Sequence, residues 1–179
     1  MEKHCIWDPL VRIFHWALAV GFTTNALLLE EDGSAHKLVG YIILALLVFR
    51  LIWGVIGPRH ARFGSFAPTA GSVGAQIADM ATGRKRVHLG HTPLGALMIW
   101  NIIVTLLAIS ATGVGLTIDG FSGVEWLEEA HEVLVIWAEI SVVAHIAAVI
   151  WESIRTGVNL PRAMVTGTKT VPNGAMIIR

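Results

Sequence analysis

Apolar residues gather in four runs, 13–29, 38–56, 93–113 and 133–154, separated by connections rich in glycine and charge. Each run falls within the roughly 17–25 residues that a helix rising about 1.5 Å per residue needs to cross a hydrocarbon layer of about 30 Å. The pattern predicts an all-α integral membrane protein, a four-helix bundle forming one domain over 1–179. A loop at 57–92 and a tail at 157–179 are left outside the hydrocarbon. Within that loop Val73, Ile77, Met80 and Ala81 recur at helical spacing, which predicts a short helix on the membrane surface. The tail, broken by Gly157, Pro161 and Pro172, is expected to be partly disordered.

Composition supports this division. Of 179 residues, 54% are hydrophobic and only 15% charged, and the mean hydropathy is +0.65, values that exclude a disordered chain and argue against a water-soluble domain. The formal net charge is zero, but the charges are sorted by side. Lys3, Arg12, Arg50, Arg59, Arg62, Arg84, Lys85, Arg86, Arg155, Arg162, Lys169 and Arg179 belong to the termini and the 57–92 side, and only Lys37 lies opposite. The other two connections carry Glu30, Glu31 and Asp32, and Asp119, Glu125, Glu128 and Glu129. The positive-inside rule then places both termini and the long loop in the cytoplasm. The basic run 84–86 reads as a topology signal and a contact for anionic lipid, not as a nucleic-acid site. Cys5 is the single cysteine, so the chain has no internal disulfide and no C-x-x-C-H attachment motif. Any haem must be held non-covalently. The first run, with His15 inside it and no small-residue cleavage site after it, does not read as a removable signal peptide.

The candidate chemistry lies in the fourth run. The stretch HEVLVIWAEISVVAHIAAVIW carries His131, Glu139 and His145, and ionisable groups at membrane depth are expensive enough to be functional by default. The two histidines are fourteen residues apart, about 21 Å along a helix and within about 40° of one face. That helix offers one ligand nitrogen towards each membrane surface. Helix order and orientation put His15 at the level of His145, and His36 at the level of His131. Arg12, three residues before His15, shares its face and is placed to meet an anionic group. Gly40 follows His36 by one turn and clears space for a flat ligand, or for close helix packing. His91, at the entry to the third run, is a second candidate partner for His145. A zinc or transport site would recruit carboxylates, thiols or a third histidine at one level, whereas two opposed imidazoles suit six-coordinate haem iron. Two stacked, non-covalent haem b groups are the expectation, and a histidine-lined proton or metal transporter is the alternative from another class.

The stretches WDPLVRIFHW, HKLVGYIILALLVFRLIWGVIGPRHARF, HTPLGALM and HEVLVIWAEISVVAH resemble the bacterial cytochrome b561 family, related to the di-haem b subunits of nickel-iron hydrogenase and formate dehydrogenase. The resemblance runs from Trp7 to about Thr168. It implies axial ligands at His15, His36, His131 and His145, with His91 not a ligand. It also implies a bacterial inner-membrane location and electron transfer between the quinone pool and a redox partner at the outer face, such as a cytochrome c or a catalytic redox subunit. A stand-alone superoxide:quinone oxidoreductase is the alternative within the family, and the acidic outer connections, with Lys37 the one fixed cation, argue against it. For quinone, the inner end offers His91, Arg12, Arg50 and Trp151 as candidates. Membrane lipid is the surrounding partner, and a homodimer is left open.

Overall fold

The computed structural model describes residues 1–31 and 33–178; Asp32 and Arg179, counted above among the charges, lie outside the described residues. The chain opens with a short strand, β1 (Glu2–Cys5), and then forms α1 (Pro9–Leu27) and α2 (Ser34–Ile56). After a 3-10 turn at Phe63–Ser65 come α3 (Ala70–Ala81), β2 (Arg86–His88), α4 (Pro93–Leu116) and α5 (Glu125–Thr156). The tail forms α6 (Leu160–Thr166), β3 (Thr168–Val171) and β4 (Met176–Ile178).

α1, α2 and α5 begin before their apolar runs, and α4 begins with its run. α1 starts four residues before its run because Asp8 accepts from the backbone N–H groups of Leu10 at 2.9 Å and Val11 at 3.1 Å, with Pro9 at the first helical position. α5 extends upstream through Glu125 and Glu128, acidic residues in its first turn, which complement the helix dipole although they add nothing to the hydropathy signal. It stops at Gly157, whose φ of 72° is the left-handed conformation that favours glycine.

Three helices, α2, α4 and α5, are long and apolar enough to cross a membrane. α1 is a continuous helix of 19 residues but includes Arg12, His15, Thr23, Thr24 and Asn25, which dilute its apolarity. It nevertheless shares the common core: Ile43 and Leu47 of α2, Leu106 of α4 and Ala138 of α5 form a buried cluster, and Leu18 and Phe22 of α1 pack against it. Ile42, Val104, Ile140 and Ile150 point outward with half or more of their surface exposed, an arrangement that needs lipid as solvent. Between α4 and α5, Asn101 Nδ2 donates to Ser141 Oγ at 2.8 Å, and Trp137 Nε1 donates to Asn101 Oδ1 at 3.1 Å. These bonds satisfy polar groups within the bundle.

The tail is ordered, contrary to expectation. β1 pairs antiparallel with β3, and β2 pairs parallel with β4, so both termini and the middle loop are stitched together at one end of the bundle. Val87, Val158 and Val171 form a second small core there. Lys169 is only 3% exposed, and its Nζ donates to the carbonyls of His88 at 2.8 Å and Gly90 at 3.1 Å. Gly167 joins the tail to the N-terminal strand: its carbonyl accepts from the N–H groups of Ile6 at 3.0 Å and Trp7 at 3.2 Å. Its φ is 82°, and a Cβ there would lie 2.8 Å from Arg12 Nη1, so a larger residue is strained in conformation and crowded in space. The helix expected near residues 73–81 is α3. It anchors through polar groups, with Gln76 accepting from Leu94 N–H at 2.9 Å and Asp79 paired with Arg86. Ile77 and Met80 stay exposed, as an interfacial helix facing lipid requires.

The pairing of both terminal strands into one cap predicts that reporters fused at the N- and C-termini read the same side of the membrane, and that one inserted in segment 119–122 reads the opposite side. Opposite signals from the two termini would contradict this arrangement.

Candidate metal centres

Helices α1, α2 and α5 bring four histidines together in two pairs. The His15 and His145 ring centres are 6.4 Å apart, and those of His36 and His131 are 6.5 Å apart. Two imidazoles on opposite sides of one iron, each nitrogen about 2.0 Å from it and each ring centre roughly 1.2 Å further out, would have ring centres about 6.4 Å apart. Each pair is therefore spaced so that its two rings would hold one haem iron. Among the described residues, no group of three or more His, Cys, Asp or Glu side chains converges on a common point; each pair would offer a metal two imidazoles, the protein ligand set of a six-coordinate haem iron.

The surroundings fit such a haem. A ring nitrogen, Nδ1, of His15 and of His36 is buried without a hydrogen-bond partner. A buried polar atom in that state is costly, a cost that only a hydrogen bond or a metal at that nitrogen itself would offset. A side chain at Gly40 would meet nothing within 4 Å, so the face beside His36 is open to a flat group. His131 is held from behind: Thr112 Oγ1 lies 2.8 Å from its Nδ1 and has the carbonyls of Ala108 at 3.1 Å and Ile109 at 3.0 Å to donate to. With its own proton committed to a carbonyl, the Thr112 oxygen accepts from Nδ1–H. The proton then stays on Nδ1, and the Nε2 lone pair is left for a metal. Gly113 permits that ring position, since a Cβ there would approach His131 Cε1 to 3.1 Å. Hydropathy treated Gly113 only as the end of a span, and Thr112 carried no signal. A glycine deep in an apolar helix beside a histidine at the same level is the one clue that was present.

Residues 6–167 match the family described as prokaryotic cytochrome b561. The chain belongs to that family. Membership makes this cytochrome a membrane protein that binds haem b and transfers electrons, and its helical architecture with three long apolar helices agrees. Neither the curated proteins nor the solved structures yield a match.

The remaining candidate residues of this b561 chain are distributed more widely. Arg12 Nη2 donates to the Val165 carbonyl at 2.5 Å, and Arg12 closes one end of a groove of about 760 Å³ between α1 and α2, walled by Ile13, Trp16, Val20 and Ile42. Arg50 is buried, with its guanidinium carbon 4.4 Å from the centre of the Phe63 ring. Trp151 is 59% exposed on the outer surface of α5 and does not line that groove. His91 belongs to the cap, between the rings of Trp7 at 4.6 Å and Phe66 at 4.1 Å. Burial, together with the charges of Lys169, Arg50 and His60, pushes its pKa down to about 3. Lys169 is likewise pushed down by burial, to about 8, against the opposing pull of Glu152.

The His91 shift has a consequence for stability. Between the ordinary 6.5 and about 3, the unfolded chain takes up a proton that folded His91 refuses, so stability is lost as pH falls through that window and is level above it. The slope from this residue is at most about 1.4 kcal/mol per pH unit. His91→Phe is expected to flatten acid unfolding between those limits, and an unchanged acid limb would refute the assignment.

Proposed function

We propose that the chain is a four-helix, di-haem b cytochrome of a bacterial inner membrane, with both termini in the cytoplasm, carrying electrons between the quinone pool and a redox partner at the outer face. The observation that supports it best is the pair of facing imidazoles at 6.4 and 6.5 Å, with one member of each pair on α5, about 21 Å apart along that helix. In this reading α1 is the fourth span, His15 and His145 hold the inner haem, and His36 and His131 hold the outer one. Bound haem supplies a one-electron couple. The protein fixes the rest: α5 sets the spacing of the two centres, the Thr112 hydroxyl holds the His131 tautomer, and the apolar core of Leu47, Leu106 and Ala138 keeps water out between them. The basic cap at the end bearing the termini supports the cytoplasmic assignment.

Each centre is expected to fail separately. His36→Ala or His131→Ala removes one low-spin haem from the reduced absorbance spectrum, and His15→Ala or His145→Ala removes the other. If His91→Ala emptied the inner centre while His15→Ala spared it, the pairing would be wrong. A colourless protein would favour a transporter.

For quinone, the α1–α2 groove supplies an apolar slot with a donor, Arg12, at its end, three residues from His15. His91, Arg50 and Trp151 do not line it, so we place the quinone head beside Arg12, at the inner end. Arg12→Gln is expected to slow quinol reduction of the haems at least several-fold with haem content intact. Slowing in His91→Ala but not in Arg12→Gln moves the site into the cap.

The outer surface carries Glu30, Glu31, Glu125, Glu128, Glu129 and Glu132, all exposed. None is in an ion pair among the described residues. Such a field steers a cationic redox protein towards the outer haem. The bimolecular electron-transfer rate should fall as ionic strength rises, and replacing Glu125, Glu128 and Glu129 by Gln should remove that slope. A rate indifferent to salt would count against a charged partner.

A further inference from the structure

One buried charge has no counterpart in the centres just described. Arg50 lies in α2 fourteen residues after His36, about 21 Å along the helix and within about 40° of the same face. His145 stands in that same relation to His131 on α5. α2 therefore presents an imidazole at the outer level and a guanidinium at the inner one. Arg50 is only 4% exposed, its Nη1 is buried with no hydrogen-bond partner, and no described carboxylate lies within ion-pair distance of it. Asp8 is the carboxylate whose charge reaches Arg50. Its Oδ1 already caps α1, and its Oδ2 faces Trp53 Nε1 at 3.5 Å.

The neighbours deepen the imbalance. Arg12 Nε is also buried without a partner, Lys169 Nζ donates to two carbonyls with no carboxylate at ion-pair distance among the described residues, and His91 is neutral at pH 7. The Arg50 guanidinium rests on the Phe63 ring, but Nη1 is left without an acceptor, which is unfavourable for a buried cation, and its planar fork of donors matches a carboxylate. Neutral quinone brings no charge to offset it. A b-type haem held by His15 and His145 would carry two propionate carboxylates, anionic acceptors of the kind that Arg50 Nη1 lacks.

We propose that Arg50 holds a propionate of the inner haem and so directs the propionate edge of that macrocycle towards the capped end of the bundle. This rests on the assignment of the inner haem to His15 and His145. A fixed cation beside the macrocycle opposes the extra positive charge of ferric iron, so Arg50 raises the potential of the inner haem as well as orienting it.

The test uses the full-length, haem-loaded protein in wild-type, Arg50→Gln and Arg50→Lys forms, with haem-to-protein ratio, spectroelectrochemical titration and the resonance Raman propionate bending band as readouts. In Arg50→Gln the outer haem is expected to be retained. The inner haem should either be lost selectively or titrate at a lower potential with a displaced propionate band, and Arg50→Lys should restore part of the change. An inner haem in Arg50→Gln with wild-type potential and wild-type propionate band overturns the pairing. Loss of both haems from both variants alike also overturns it, by marking Arg50 as a packing residue. Wild-type protein carrying fewer than two haems per chain instead strikes the di-haem assignment beneath it.

Discussion

An imidazole inside an apolar bundle is tolerated only when its nitrogens are engaged, and the placement of four such rings constrains the rest of this fold. α5 is continuous from Glu125 to Thr156 and carries one ring of each pair, so any kink between His131 and His145 would rotate one ring away from its partner. α1 carries polar residues that weaken it as a membrane span, among them His15, whose ring faces that of His145. α4 contributes no ring to either pair, yet it supplies Thr112 and Gly113, one holding His131 from behind and the other leaving room for it. Helix packing and ligand geometry are thus a single requirement. The apolar cluster of Ile43, Leu47, Leu106 and Ala138 keeps the helices at the separation that the ring pairs demand.

The same economics of burial explain the cap. Lys169 and Arg50 are cations withdrawn from water, and each is handled differently. Lys169 is satisfied by two carbonyls at the end of β2, so its burial ties the tail to the loop that leads into α4. Arg50 meets an aromatic face and has a nitrogen left over. A protein that satisfies one buried cation with backbone oxygens a short distance from another that it leaves bare points to a ligand at the second. The cap therefore lies between two demands, holding the termini against the bundle and presenting positive charge to its inner end.

Much of the bundle was legible because hydropathy reports the transfer of side chains to lipid directly, and because a fourteen-residue interval on a helix fixes both level and face. Three helices begin earlier than their apolar runs: in α1 and α5, Asp8, Glu125 and Glu128 promote helix by capping and dipole effects that hydropathy scores as breaks, and α2 opens on the polar Ser34, His36 and Lys37. The cap was not legible at all. β1 and β3 are four residues each and stand more than 160 positions apart, and a run such as TKTV becomes a strand only when a partner edge is present. Residues that act on a site from a neighbouring helix were equally hidden. That Thr112 reaches His131 depends on how α4 and α5 are rotated about each other, which no periodicity within α4 alone encodes.

Arg50 shows how far level and face together can carry an inference. Arginines near the ends of membrane spans ordinarily snorkel to the interface. The 4% exposure of Arg50 is incompatible with snorkelling, because a side chain that reached the interface would leave its guanidinium hydrated. The fourteen-residue interval from His36 is the deciding feature: it turns Arg50 to the ligand-bearing face of α2 at the level where α5 presents His145. The second helix thus carries two different groups at the positions where the last helix carries two histidines. The inner pair of imidazoles therefore has a buried cation at its level, while the outer pair has the open face beside Gly40, so a group seated at each would meet unequal electrostatic surroundings.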